Sequence, residues 1–414
     1  MCELSKKENC QYTREKPKLL PQLLSAIGVS FGATLVAGWI SFTSVAIPKM
    51  MKETAVDKTK DNDDDPMQVD LHTGSWIASL FFIGNIFGCL IGGFLNQKMG
   101  AKRVFLCSAP FAALTWAMVA LSHHIWVIFL SRIISGVIFG VFQANGKVYN
   151  AEIAHPDFRG SLGAIIGNMS SLGSVYMYLT GYFVHSWRTV AWLQLIPVCI
   201  FGFSVCFIPD SPYWLVERGR EEDARRSLIR LRGSSYDIRT EFEEIVNKKK
   251  RKEALGKSTL QTLCSHTFIQ PFLRIGTLVI LTQWTGISVL GSYMVTIFTE
   301  AGSSVDPTLA PIIVCTVQQM LSLLATIILR FSPRKPLFLL CATGIAISQA
   351  GLGTYFYLMR APGGDTTSAI NNHTEQGYGL VPVLCVVLVY SFRSVGFMAV
   401  IQLLLAESFP TEIR

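Results

Sequence analysis

Carboxylates are missing from every long apolar stretch of this sequence, and charge is scarce throughout. Only 15% of the 414 residues are Asp, Glu, Lys or Arg, against about 25% in soluble globular chains. Half are hydrophobic, and the mean hydropathy is +0.40, so water is not the main solvent. No GxxxxGK[ST] occurs, which removes the P-loop route to ATP. The ten cysteines have no metal-like spacing and no paired framework. Cys89, Cys199, Cys206, Cys315, Cys341 and Cys385 lie inside apolar runs, where they read as small hydrophobes. No metal and no cofactor are expected. No nucleophile–base constellation stands out, so the chain does not read as an enzyme. The net charge of +8 is scattered in short segments between apolar runs, which argues against nucleic acid as a partner. The N-terminus up to Lys18 is polar and charged, unlike a cleavable leader.

What the sequence does have is long apolar runs. A helix needs on the order of 20 apolar residues to cross a hydrocarbon core of about 30 Å. Ten runs qualify: 21–48, 74–96, 104–122, 125–148, 160–184, 188–208, 272–298, 309–329, 337–359 and 379–405. Runs this long span lipid as helices, because lipid tolerates no unpaired backbone. The expectation is an all-α multi-pass membrane protein with the bilayer as its medium. Lys and Arg concentrate before the first run, after the second (Lys98, Lys102, Arg103), after the fourth (Arg159) and after the eighth (Arg334, Lys335). The opposite connections are poor in Lys and Arg or acidic, as in DKTKDNDDDPMQVD at 57–70. The positive-inside rule then puts the N-terminus in the cytoplasm. Asn372-His373-Thr374, a glycosylation sequon, falls outside.

The domains expected are a tail over 1–20, a six-helix half over 21–208, a cytoplasmic linker over 209–271 and a shorter second half over 272–414. In the linker, Pro209 ends a helix, Asp210 or Ser211 caps the next, and Pro212 takes its first position. EEDARRSLIRLRG and EFEEIVNKKKRKEA read as two further helices. The basic KKKRK within the second reads as a topology and lipid-surface patch.

One phrase is written twice. AEIAHPDFR (151–159) and AESFPTEIR (406–414) share Ala-Glu, a proline and a terminal arginine. Each follows an apolar run, the fourth and the tenth. GGFLNQKMGAKR (92–103), with Gly93, Gly100, Lys102 and Arg103, leaves the second run, and RFSPRKPL (330–337), with Arg334, leaves the eighth. An offset of six runs means parallel repeats about an axis along the membrane normal. Glu152, Arg159, Glu407 and Arg414 are then paired clusters at one membrane face. Their carboxylates are expected to pair with the neighbouring basic loops and to act as a switch. Counterparts of the fifth and sixth runs are expected beyond Arg414.

The series Arg132, Gly136, Gly140, Tyr149, Glu152 and Arg159-Gly160, then PDSPYWLVERGR (209–220), then Gln283-x-x-Gly286, resembles the sugar porter family of the major facilitator superfamily. FTSVAIPKM in the first run and the missing glutamine in the fifth look most like its insect facilitated trehalose transporter branch. The resemblance implies two parallel six-helix repeats, here with ten spans, around one sugar site reached by alternating access. It also implies sugar contacts at Gln283, Thr282, Ser288, Gln318 and Gln402, with Tyr293 as a gate. Departures are visible. Gly167 replaces the fifth-span glutamine, Gln402 a tryptophan, and Met398-Ala399-Val400-Ile401 a Gly-Pro-x-Pro break. Gln97 and Arg330 stand where the cytoplasmic motifs carry acids.

With no acid in any run and every histidine in a loop or at a run's end, no buried group can shuttle protons. Facilitated diffusion of a sugar, trehalose or hexose-like, at the cell membrane is expected. The alternatives are a non-transporting sensor or inactive truncated form, and a carrier of an anionic or polyol substrate. Arg393 motivates the anionic alternative. It lies near the middle of the tenth run, where a charge costs roughly 2.5–3.5 kcal/mol on insertion scales. Either it binds backbone carbonyls near Ser394–Gly396, or it faces the cavity.

Overall fold

The computed structural model describes residues 17–58, 69–234, 236–254, 266–359, 378–398 and 400–401. Among these no strand occurs, and each of the ten apolar runs holds a helix. The first five membrane segments are α1 (Leu19–Lys58), α2 (Leu71–Met99), α3 (Ala101–Ala120), α4 (Ile125–Ile153) and α5 (Arg159–Phe183). The sixth is α6 (Trp187–Leu193) with α7 (Leu195–Phe207). The linker contains α8 (Pro212–Glu217), α9 (Glu221–Arg232) and α10 (Arg239–Ala254). The seventh segment is α11 (His266–Trp284) with α12 (Ile287–Glu300), followed by α13 (Ala310–Phe331) and α14 (Arg334–Met359). The tenth is α15 (Val381–Phe392), entered by a 3₁₀ turn at Tyr378–Leu380 and continued by a π-helical turn at Arg393–Phe397.

Seven segments are long and apolar enough to cross a membrane: Leu19–Glu53, Leu71–Met99, Ala101–Ala120, Ile125–Ile153, Trp187–Phe207, Ile269–Glu300 and Arg334–Met359. Two shorter apolar helices, Ala310–Ala325 and Val381–Phe397, join them. The fifth, α5, is richer in Gly, Ser and Tyr because it is pressed on α1. A Cβ on Gly173 would overlap the Thr34 backbone.

The first six segments pack on one another, α2 most closely on α4 and α1 on α5. Close approach of α2 and α4 requires glycine. A Cβ on Gly136 would overlap the Phe81 carbonyl oxygen, and one on Gly140 would crowd the Asn85–Cys89 backbone. Apolar side chains gain little from meeting in lipid, so small residues that let backbones touch hold such helices together. Arg132 adds a polar tie inside this bundle. Only 2% exposed, it donates from Nε to the Ile77 carbonyl and from an Nη to that of Trp39, each at 3.0 Å, with Phe81 against its guanidinium.

The runs 188–208 and 272–298 are each interrupted, at Gln194 and at Gly286, and 379–405 passes through the π-helical turn. At Gln194 the cause is Pro197, which has no N–H to give the Leu193 carbonyl. The Tyr176 hydroxyl donates to that carbonyl instead, at 2.8 Å.

The linker forms a small core of its own from Trp214, Leu215, Val216, Ala224, Leu228, Phe242 and Ile245. Ser211 caps α8 by accepting from the Trp214 N–H, with Pro212 at the first helical position. In α9 the acids Glu221, Glu222 and Asp223 open the helix and Arg230 and Arg232 close it, as the helix dipole favours. Arg232 is the keystone. It binds Glu241 through two contacts of 2.9 and 2.6 Å and donates to the Ile153 carbonyl at the end of α4. Part of KKKRK faces inward here. Lys249 donates to the Val216 carbonyl and Lys248 lies over the Tyr213 ring.

Candidate functional site

The seventh segment carries the candidate site, because it is interrupted twice. Gly286 adopts φ 70°, a left-handed conformation that favours glycine, and separates α11 from α12. The Gln349 amide of α14 donates to the carbonyl of Thr285 at this break. A second kink falls at Tyr293 (φ −125°, ψ 19°), just after Gly291-Ser292, the type of small-residue pair at which helices bend.

The first six segments supply the partners for this kink. A regular helix would join the Val295 N–H to the Gly291 carbonyl. Here the Val295 N–H donates to Ser44 Oγ of α1 at 2.9 Å, and the Tyr178 hydroxyl of α5 donates to the Gly291 carbonyl at 3.2 Å. Ser44 and Tyr178 are both buried. Tyr390 of α15 reaches the same point, since a Cβ on Gly291 would lie 3.1 Å from its hydroxyl. A second contact across this seam joins Ser322 of α13 to Asn168 of α5 at 2.7 Å. Beside Asn168, Gly167 opens onto free space, so the side chain it lacks leaves room.

The expected contact residues fall into three groups. Gln283 is exposed, Ser288 and Gln318 are half-buried, and their side chains hold no hydrogen-bond partner among the described residues. Thr282 differs. It is buried, and its hydroxyl donates to the Leu278 carbonyl one turn back, so it serves its own helix. Gln402 lies outside the described residues. Arg393 is half-buried and opens the π-helical turn, with the Tyr390 ring 5.8 Å from its guanidinium.

At the end of the bundle that carries the linker, the expected switch residues are organised by PDSPYWLVERGR. Arg218 donates to the Gln97 and Lys98 carbonyls at 2.8 and 2.7 Å, closing the end of α2. The Trp214 ring covers Gly100, whose φ of 81° ends that helix, and Arg103 lies against the same ring. The Tyr149 hydroxyl donates to the Pro209 carbonyl at 2.7 Å. Glu152 departs from the expectation. Among the described residues no ion pair joins it to Lys98, Lys102 or Arg103, and it faces Ser211 and Glu217 of the linker instead. Gly93 is exposed and touches nothing, whereas Gly92 takes the close contact with α4. Arg334 opens α14 and is exposed. Arg159 begins α5. Glu407, Arg414 and Asn372 lie outside the described residues.

Sequence reasoning did not find Ser44, Tyr178, Asn168, Ser322, Gln349 or Arg218. The first five are polar residues in apolar runs, which was the available signal, but only the fold tells which of these bind backbone at the breaks.

Helical bundles meeting at a discontinuous seventh segment define a membrane carrier of the major facilitator fold. The "Sugar (and other) transporter" family model matches residues 25–414, and the chain belongs to that family. Among relatives, the facilitated trehalose transporter Tret1 of Culex quinquefasciatus is 28% identical over 394 residues, covering 95% of this chain and 72% of its own. That of Apis mellifera ligustica is 29% identical over 396 residues, covering 95% and 74%. Among solved structures, the proton:xylose symporter XylE bound to 6-bromo-6-deoxy-D-glucose superposes with TM-score 0.72 at 22% identity, covering 94% of this chain and 83% of that one. The inward-open XylE from E. coli gives 0.67 at 21%, covering 95% and 83%. At these identities the structures speak for the fold alone.

Proposed function

We propose that this protein carries a sugar across a membrane by facilitated alternating access. The observation that carries the reading is the doubly broken seventh segment, whose kink at Tyr293 is held by groups from the first six segments. Unwound segments at a repeat interface are where carriers of this plan bind substrate. Gln283, Ser288 and Gln318 offer unoccupied polar groups for sugar hydroxyls, and Tyr293 is the gate. The linker face is cytoplasmic, with Glu152, Arg159, Arg334, Glu407 and Arg414 as its switch. The chain divides at the linker into an N-terminal half and a C-terminal half, resides in the cell membrane, performs no catalysis and binds no nucleic acid. Asn372 is its glycosylation site.

Vesicles containing the protein test this with labelled trehalose and glucose, with and without an inward proton gradient. Saturable uptake that stops at equilibrium in both conditions is expected. Gradient-driven accumulation would make it a proton-coupled carrier, and absence of saturable uptake would overturn transport.

A further inference from the structure

Arg393 is the one part of the seam that the transport reading leaves unused. Its Cα lies twelve residues beyond the start of Val381–Phe392, about 18 Å along the axis at 1.5 Å per residue. That distance is too great for the side chain to reach back to the start of the helix. The direction it takes can be read from its neighbours. Tyr390 and Cys315 are both buried and both lie within its electrostatic reach. Tyr178, whose hydroxyl binds Gly291, stands close to the same two residues. The guanidinium is therefore turned to the seam where the first six segments meet the seventh, eighth and tenth.

Among the described residues Arg393 makes no ion pair and no side-chain hydrogen bond, and the Tyr390 ring lies 5.8 Å from its guanidinium. A charge half-buried within the bundle is left without a partner, and a guanidinium is a rigid fork suited to carboxylate or phosphate. The ring beside it restricts its plane through a cation–π contact. The π-helical turn on which it sits is a local irregularity of the kind often found at functional positions. Gln318 lies three residues beyond Cys315 on α13, hence on the same face, and its amide is free for a hydroxyl.

We propose that Arg393 is the subsite for an anionic group carried by the sugar, so that the preferred substrate is an acidic sugar bearing a carboxylate or a phosphate. This rests on the transport reading above and narrows its substrate. The protein in lipid nanodiscs is titrated with glucuronate, glucose 6-phosphate, glucose, trehalose and inorganic phosphate. At least one acidic sugar is expected to bind roughly tenfold or more tightly than glucose and trehalose, a factor in line with one charge-assisted contact. The carboxylate and phosphate arms tell which group is meant. Arg393→Gln should abolish the preference by weakening the acidic sugar far more than the neutral ones, and Arg393→Lys should keep part of it. Equal or tighter binding of neutral sugars by the unaltered protein overturns the inference while the sugar-carrier reading stands, whether or not the variant folds. Inorganic phosphate binding as tightly as glucose 6-phosphate overturns an acidic sugar as the ligand. No binding of any sugar overturns both readings.

Discussion

Removing Ser44 Oγ and the Tyr178 hydroxyl tests whether the kink in α12 is held from across the seam. Ser44→Ala strands the Val295 N–H and Tyr178→Phe strands the Gly291 carbonyl, both in buried surroundings. A lost hydrogen bond that leaves a buried group unmet costs about 1–3 kcal/mol, so each single variant should weaken the kinked, sealed state by roughly 1–2 kcal/mol. That is about a 5- to 30-fold shift in an equilibrium. In the double variant the two stranded groups are a helical i, i+4 pair and can bind each other. Straightening α12 then recovers one bond, so the double variant should cost less than the sum of the singles by about 1 kcal/mol. Thermal melts of the four proteins give the cycle. Spin-label distances between Leu121 and Glu300, both exposed at the end opposite the linker, report separation of the halves. Additive melting temperatures with unchanged distances in the double variant would refute the latch.

Gly136→Val drives a side chain into the Phe81 backbone. It should cost about 1–3 kcal/mol and lower the melting temperature, whereas Gly93→Ala, with nothing near it, should be neutral. Arg232→Met leaves Glu241 without its buried partner (Arg232 is 1% exposed). A loss of about 3–5 kcal/mol is expected, seen as faster proteolysis between α9 and α10. Asp306 accepts from the Thr308 N–H and hydroxyl at 2.8 and 2.6 Å, and these bonds hold its carboxyl below the usual carboxylate range. Its cap therefore acts in full above the unfolded pKa and is lost as pH falls through the lowered one. Amide protection factors over 308–313, taken relative to the intrinsic exchange rate at each pH, should fall on acidification in the parent and lose that dependence in Asp306→Asn.

Helix existence was legible because membrane segments announce themselves by composition, and the linker because its caps are local. Ser211 as cap and Pro212 at the first helical position act within a single turn. The breaks were less legible for the same reason in reverse. Pro197 interrupts a helix three residues before itself, but nothing nearby reveals that Tyr176 will accept the task of donating to Leu193. Glu152 shows the limit of charge matching. Complementary signs at adjacent ends predicted a pair with the basic loop, yet Arg103 lies against the Trp214 ring, and the Glu152 carboxylate is turned to Ser211 and Glu217. A charge pattern names who could pair. Packing decides who does.

The seam itself has a common logic. Lipid makes an unsatisfied backbone group costly, so a helix that breaks in the bilayer needs partners, and the partners fix which bodies stay together. Gln349 satisfies the first break in the seventh segment from within its own bundle, which ties α11 and α12 to α14. Ser44 and Tyr178 satisfy the second from the opposite bundle, which ties α12 to α1 and α5. The two breaks thus differ in kind. The one at Gly286 is satisfied within the bundle that contains it. The one at Tyr293 persists only while the halves are in contact, because separation withdraws both partners and leaves Gly291 and Val295 to pair. A conformational change that parts the halves at this end must therefore straighten α12, and a substrate that bridges the seam favours the kink.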